Sequence, residues 1–153
     1  MSNVIKPISA LPQGGFSIFL AGSIEMGKAE SWQNKIEKSL ENENVNIFNP
    51  RRDEWDSSWE QKYENEQFRA QVMWELEALE QADIIAMYFD KLTQSPISLL
   101  ELGLHAKTGK MIVCCPEGFW RKGNVDTVCK KYNIPQVQTI EGLVEEIQRR
   151  IVK

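Results

Sequence analysis

Short apolar segments alternate with helical segments along most of this chain, and this alternation limits the folds that the chain can adopt. The largely apolar segments are Phe16–Ala21, Val45–Phe48, Ile84–Phe89 and Met111–Cys115, and a last short strand is predicted near Gln136–Gln138. Between them, apolar residues recur at helical spacing, as in residues 28–40, 66–81 and 140–151. Strands that alternate with helices predict an α/β fold with a doubly wound parallel sheet and right-handed crossovers.

We predict that the sheet has five strands in the flavodoxin-like, Rossmann-like order 2-1-3-4-5. In this order the switch point lies between strands one and three, so the loops after Ala21 and Phe89 come together. Ligands of such sheets bind in the crevice at the carboxyl ends of the strands. We therefore expect the functional site at these two loops.

The length and composition suit one compact domain with a buried core. The chain has 153 residues, of which 42% are hydrophobic and 26% are charged. Residues 1–15 are rich in proline and glycine and are predicted to form an N-terminal arm. Residues 16–153 are predicted to form a single domain.

The formal net charge of −4 offers no basic field for phosphates, so polymeric nucleic acid is not expected as a partner. The residues that could bind a small anionic ligand are Arg51, Arg52, Arg121 and Lys122. No charged-then-apolar leader opens the sequence, and no apolar run approaches the roughly 20 residues of a membrane-spanning helix. We expect no membrane partner and a cytoplasmic location.

Cysteine and histidine residues follow none of the usual metal-binding patterns. The chain has an odd number of cysteines, Cys114, Cys115 and Cys129, and the first two lie in an apolar strand, so disulfides are not expected. His105 is the only histidine, and no Cys-x-x-Cys or His-x-x-x-His spacing occurs. The sequence predicts neither a metal nor a cofactor.

Glu101 is the first candidate for a catalytic residue. Ser95 and Pro96 are typical of a helix N-cap and first helical position, and Gly109 is typical of a helix stop. Glu101 then lies in about the second turn of a helix whose positive end faces the expected crevice, where a carboxylate can be a nucleophile. In the alternative interpretation, Glu101 belongs to a polar stripe, with His105 one turn later, that faces water.

Glu75 is the second candidate, because it lies at the centre of the apolar stripe of the preceding helix. A buried carboxylate without partners is costly, so Glu75 should have hydrogen-bond partners or line a cavity. The alternative is a bent helix that lets its side chain reach water. Two carboxylates from different helices suit a reaction in which one attacks a sugar carbon and the other handles the leaving group's proton.

A small turn directly follows the first strand at the expected crevice. Its residues Gly22, Ser23 and Ile24 could form a backbone N–H cradle for a phosphate or a sugar hydroxyl. Ser95 could contribute in the same way from the start of its helix. An ordinary turn explains the same residues equally well.

The polar connection of residues 49–66 is long for a compact domain and predicts a substrate-covering loop. Trp55 and Trp59 of this loop, with Tyr88 and Trp120 elsewhere, are available for stacking on a base. Packing in the core and loops is the alternative role of these four aromatic side chains.

Three segments, in this order and spacing, resemble the nucleoside 2-deoxyribosyltransferase superfamily. They are Phe19–Ile24, Trp74–Ile84 and Ser95–Leu104. The resemblance implies that Glu101, which precedes Leu-Gly, is the nucleophile that forms a covalent deoxyribosyl-enzyme. It also assigns the family's second acidic residue to Glu75, where the relatives carry aspartate.

Two branches of the superfamily resemble this chain further. The residues similar to the 5′-phosphate site of deoxynucleoside 5′-monophosphate N-glycosidases are Gly22, Ser23, Ile24 and Ser95. The segments Asn49–Arg52 and Phe119–Val125 resemble a transferase-like branch found in bacteria and phages, and Asn49 is accordingly a candidate for substrate binding. Superfamily members generally form homo-oligomers, dimers or larger, in which a neighbour's loop completes the pocket, and Asn124 is our candidate for that contribution.

The resemblance therefore implies an enzyme that cleaves the N-glycosidic bond of 2′-deoxynucleosides through a covalent deoxyribosyl-Glu101 intermediate and transfers the sugar to another base. Its expected partners are a deoxynucleoside or deoxynucleotide and a free base, in nucleotide salvage or base exchange. The alternative is a 2′-deoxynucleoside 5′-monophosphate N-glycosidase, in which water accepts the sugar. An alternative of another class is a nucleotide-binding sensor without turnover.

Overall fold

The computed structural model describes residues 1–24, 31–51 and 60–151 of the chain. The described strands are β1 (Asn3–Ile5), β2 (Phe16–Gly22), β3 (Val45–Phe48), β4 (Ile84–Tyr88), β5 (Met111–Cys114) and β6 (Gln136–Val137). They form one parallel sheet in the order β1-β3-β2-β4-β5-β6. The described helices are α1 (Trp32–Ser39), α2 (Glu66–Gln81), α3 (Pro96–His105), α4 (Lys122–Lys131) and α5 (Ile140–Arg150).

Helices cover both faces of the sheet, so the predicted α/β fold with a parallel sheet is confirmed. On one face, Trp74 of α2, Leu102 of α3 and Val125 of α4 belong to one buried core. On the other face, Trp32 of α1 and Leu143 of α5 belong to a second core. Within the described residues, none of these helices has the length and apolar character needed to cross a membrane.

The prediction of five strands in the order 2-1-3-4-5 is wrong, because the sheet has six strands. The additional strand, β1, lies within the segment that the sequence predicts to be an arm, and it pairs in parallel with β3 at the edge of the sheet. β1 has only three residues, and two of them are exposed. A strand this short carries too little alternation of apolar and polar residues to be recognised from sequence.

Helix α2, which carries Glu75, is held at both of its ends. At its start, the side chain of Asn65 accepts a hydrogen bond of 2.9 Å from the backbone N–H of Phe68. At its end, the ammonium group of Lys110 donates to the carbonyl oxygens of Leu79, Glu80 and Ala82, at 2.7, 2.9 and 3.0 Å. A cation at these carbonyl groups also complements the negative end of the helix dipole.

The switch point of the sheet lies at β2, which has β3 on one side and β4 on the other. Gly22 ends β2 opposite Tyr88 of β4 and has a φ of 141°. A Cβ atom on Gly22 would lie 2.2 Å from the backbone oxygen of Tyr88, a distance at which the backbone must move. Only glycine therefore allows the two strands to approach this closely at the switch point.

We predict that Gly22→Ala lowers the free energy of unfolding by about 2 kcal/mol or more, because it combines a backbone clash with a strained φ. Gly14→Ala is the matched control, since nothing lies within 4 Å of the added Cβ atom at that position. Urea denaturation of both variants measures the difference. Equal stabilities for the two variants would contradict the close approach of β2 and β4.

Candidate active site

Three buried hydroxyl groups join the loops that follow β2 and β4, where the sequence predicts the site. The Ser23 Oγ atom lies 2.5 Å from the Ser95 Oγ atom and 2.9 Å from the Thr93 Oγ1 atom. The third distance, between Thr93 Oγ1 and Ser95 Oγ, is 2.7 Å. We call these three residues the hydroxyl cluster. It connects the turn after β2 with the loop that leads into α3.

The hydroxyl cluster has an internal acceptor for each of its protons. The Thr93 hydroxyl donates to the backbone oxygen of Asp90 at 2.9 Å, since a carbonyl group can only accept. The Ser95 hydroxyl can then donate to Thr93, and the Ser23 hydroxyl to Ser95. The Ser23 Oγ atom also accepts the backbone N–H of Asp90 at 2.7 Å. These bonds fix the geometry of the crevice at the start of α3.

Ser95 has a left-handed backbone conformation, with φ 48° and ψ 54°, directly before the first residue of α3. Such a conformation is unfavourable for a residue with a Cβ atom. The two hydroxyl contacts of Ser95 hold it there, and Pro96 then begins the helix with a suitable φ. The start of α3 is therefore determined by side chains of both loops.

Glu101 lies on α3 and is buried, with 6% of its surface exposed. The polar stripe that it shares with Ser98 and His105 is also buried, so this part of the stripe faces the protein rather than water. Burial, and after it the nearby charge of Glu75, together raise the pKa of Glu101 to about 8. The carboxyl groups of α2 and α3 are therefore close enough to repel each other when both are charged.

Glu75 lies near the middle of α2 and is half-buried. Burial raises the pKa of Glu75 to about 7, while a hydrogen bond from Gln71 acts in the opposite direction. The Gln71 Nε2 atom donates to Glu75 Oε2 at 3.0 Å. Glu75 thus has the hydrogen-bond partner that its position in an apolar stripe requires, and α2 needs no bend at this residue.

A second polar group of residues lies where β3 ends. Asn49 is buried; its amide donates to the carboxylate of Glu37 on α1, and its Oδ1 atom accepts the backbone N–H of Arg51 at 2.9 Å. The guanidinium group of Arg51 donates to the side-chain oxygen of Gln33 at 3.2 Å. Gln71 connects this group to the acid pair, by which we mean Glu75 and Glu101. Its Nε2 atom, which donates to Glu75, also lies 3.4 Å from the backbone oxygen of Pro50.

Asn124 lies on α4, away from the acid pair of its own chain. It lines a cavity of about 340 Å³ between α3 and α4, together with Leu99, Leu102 and Gly103 of α3. At about 100° per helical residue, these three residues of α3 lie on the side of the helix away from Glu101. Any role of Asn124 in the site therefore depends on another copy of the chain.

The basic and aromatic residues singled out from sequence are dispersed in the structure. Arg121 stacks on the ring of Trp120, with its Cζ atom 4.4 Å from the ring centroid. Lys122 forms an ion pair with Asp126 at 3.2 Å. Tyr88 packs against Trp32, with ring centroids 5.5 Å apart. Of the other residues in this group, Arg52, Trp55 and Trp59 lie outside the described residues, as do residues 52–59 of the predicted covering loop as a whole.

The chemistry of the described site is that of carboxyl groups. In residues 1–24, 31–51 and 60–151, no cluster of three or more histidine, cysteine or acidic residues could hold a metal ion. Burial raises the pKa of the thiols of Cys114, Cys115 and Cys129 to about 12, 11 and 12, so they stay protonated and are poor nucleophiles at neutral pH.

Sequence reasoning missed Thr93 and Gln71 as members of the site. Thr93 lies two residues before Ser95, and its hydroxyl bridges Ser23 and Ser95. Gln71 lies one helical turn before Glu75, a spacing that places two side chains on the same face of a helix. This spacing is the signal from which the Gln71–Glu75 contact could have been predicted.

We predict that Glu101→Gln stabilises the protein at alkaline pH. Because the pKa of Glu101 is raised from 4.5 to about 8, the folded state binds more protons than the unfolded state between these values, and stability falls as pH rises through them. Removing the acid should raise the free energy of unfolding at pH 8.5 on the order of 2 kcal/mol relative to the wild type.

Urea denaturation at pH 5.5 and pH 8.5 measures this effect. Glu77→Gln, on the exposed side of α2, is the matched control and should keep the pH dependence of the wild type. If the wild type and Glu101→Gln lost stability in parallel as pH rises, Glu101 would not be a buried, proton-binding group.

Comparisons with known proteins identify the family and the fold of this chain. A family model described as "Nucleoside 2-deoxyribosyltransferase like" matches residues 15–119, more than half of the chain and including both acids. A crystal structure described as that of a conserved protein from Enterococcus faecalis has a TM-score of 0.59 and 16% identity, covering 90% of this chain and 100% of that chain, a similarity of fold alone. The comparison with curated proteins gives no match. The chain thus belongs to the nucleoside 2-deoxyribosyltransferase-like family.

Proposed function

We propose that this protein cleaves the N-glycosidic bond of a 2′-deoxynucleoside and transfers the deoxyribosyl group to another base, in cytoplasmic nucleotide salvage or base exchange. The observation that carries the proposal is the approach of two acids, the half-buried Glu75 of α2 and the buried Glu101 of α3, on one face of the sheet. Their position in a chain of this family supports sugar transfer over other chemistry of paired carboxyl groups.

In the proposed reaction, the ionised Glu101 carboxylate attacks C1′ of the sugar. The C1′–N bond breaks, its electron pair goes to the departing base, and Glu75 donates the proton that neutralises the base. A nitrogen of the incoming base then attacks C1′ of the deoxyribosyl-Glu101 ester, and the C1′–O bond breaks with its electron pair going to the Glu101 carboxylate. The attacking nitrogen loses its proton to Glu75. Both acids return to their starting forms, and the configuration at C1′ is retained.

The raised pKa values of the two acids keep one proton on the pair near neutral pH. The higher value belongs to Glu101, so the reactive form, with Glu101 ionised and Glu75 protonated, is the less populated of the two singly protonated forms. The singly protonated pair is most abundant near pH 7.5, between the pKa values of about 7 and about 8. Both more acidic and more alkaline conditions reduce this form. The reaction should therefore have a bell-shaped pH profile with its maximum between these two values.

The turn of Gly22, Ser23 and Ile24, together with Ser95, is proposed to bind the sugar end of the substrate, and Asn49 the base end. The hydroxyl cluster favours an uncharged 5′-hydroxyl over a 5′-phosphate, because the protons of the cluster already have acceptors within the protein. In addition, Pro96 removes one N–H group from the start of α3, where a phosphate would bind. The 5′-monophosphate N-glycosidase is kept as the second candidate, since it shares the first half of the reaction.

We also propose that the active form is a homo-oligomer. Ile97, Leu100 and Leu104 of α3 are 59%, 58% and 54% exposed, and by helical spacing they lie beside Glu101. A second copy on this apolar surface would keep water from the covalent intermediate, which favours transfer over hydrolysis. It would also allow Asn124 to contribute to a neighbour's pocket.

To test the reaction, each 2′-deoxynucleoside and its 5′-monophosphate is incubated with the protein, with and without a second free base, and the products are separated by chromatography. We expect base exchange with deoxynucleosides. Glu101→Gln should reduce it about a thousandfold or more, and Glu75→Gln about a hundredfold, because each removes a group that acts on the reacting bond.

Glu77→Gln, two residues from Glu75 on the exposed side of α2, should keep the wild-type rate. Base release from monophosphates alone would support the hydrolase instead. Saturable binding without any turnover would refute both enzymes and support a sensor.

The oligomeric state is measured by analytical sedimentation. We expect the wild type to sediment as a dimer or larger species. Leu100→Lys should sediment as a monomer, because the substitution places a charge in the apolar surface. Leu92→Lys is the control, because Leu92 is exposed in the loop before α3, outside that surface. A monomeric wild type at micromolar concentration would rule out this proposal.

A further inference from the structure

We propose that Gln71 is a positioning residue that orients the Glu75 carboxyl group and ties it to the loop after β3. The inference rests on the proposed function, in which Glu75 gives and takes the proton of the base. Nothing in the sequence motifs that identify the family points to Gln71.

The side-chain amide of Gln71 bridges two parts of the site. Gln71 is buried, and it precedes Glu75 by one turn of α2. Its Nε2 atom lies 3.0 Å from Glu75 Oε2 and 3.4 Å from the backbone oxygen of Pro50. An amide nitrogen has two protons, so one can serve each acceptor. The acid is thereby linked to the segment that carries Asn49.

This contact distinguishes the two oxygen atoms of Glu75. Oε2 accepts a proton that remains on Gln71, so Oε1 is the oxygen better placed to carry the proton that is exchanged with the base. A carboxyl group free to rotate about its last bond would present either oxygen to the base. Gln71 thus reduces the number of orientations from which proton transfer can occur.

Gln71 also counteracts the electrostatic environment of Glu75. Burial, the larger effect, raises the pKa of Glu75 and favours its neutral form, whereas the hydrogen bond from Gln71 lowers it and favours the charged form. In the loop after β3, the charged residue next to Pro50 is Arg51, and its guanidinium group donates a hydrogen bond to the side chain of Gln33. Glu75 can therefore alternate between its two protonation states near neutral pH.

The inference is tested with two substitutions of opposite expected effect. Gln71→Met keeps the approximate size of the side chain and removes the donor, so the titration midpoint of Glu75 should move to higher pH by about half a pH unit or more. Gln71→Lys replaces the amide with a cation, so the midpoint should move to lower pH. Gln67→Met, one turn earlier on the same face but exposed in the first turn of α2, should leave the midpoint unchanged.

The midpoint is measured by ¹³C NMR of protein labelled at the glutamate carboxyl carbons, with the Glu75 signal assigned by its loss in Glu75→Gln. The acidic limb of the kcat/KM profile should move in the same direction as the midpoint in each variant. Gln71→Met should also lower kcat several-fold, because Glu75 is then less well oriented.

The two proposals fail in different ways. If the wild type has no turnover, the proposed function fails, while the NMR titration still decides the contact between Gln71 and Glu75. If both substitutions leave the midpoint unchanged, or move it in the same direction, Gln71 has only a packing role and the inference is overturned. Damage to packing alone cannot move the midpoint in opposite directions.

Discussion

The removal of two carboxyl groups from most of their contact with water is the constraint on which the rest of this structure depends. Burial disfavours the charged form of Glu75 and of Glu101, and the charge of Glu75 also disfavours that of Glu101. A core built only for stability would contain neither group. The protein tolerates them because α2 is fixed at both ends, α3 is fixed at its start by the hydroxyl cluster, and Gln71 supports one acid directly. Such a conflict between stability and local chemistry is typical of functional sites.

The layered architecture could be predicted from sequence because two independent signals agree. Apolar runs predict the buried strands, and helical periodicity predicts the elements between them. The prediction of a helix over residues 66–81 coincides with α2, since Asn65 provides a local capping interaction. β1 was not predicted, because a three-residue strand with two exposed residues is formed by its pairing with β3 rather than by its own pattern.

The site could be predicted only in part. Periodicity places Glu101 and His105 on one stripe of α3, but leucine and isoleucine residues also occur on the exposed surface of that helix, so the pattern alone does not say which side is buried. The hydroxyl cluster depends on the contact of Ser23 with residues about 70 positions later in the chain. No local pattern encodes such a contact, because it exists only once β2 and β4 are neighbours in the sheet.

The edge strand β1 has a practical consequence for handling the protein. β3 is buried along its whole length, and its outer hydrogen-bonding groups are covered by only three residues from the start of the chain. Deleting these residues would leave an apolar strand edge that can pair with another molecule and promote aggregation. Truncated variants should therefore keep Asn3–Ile5.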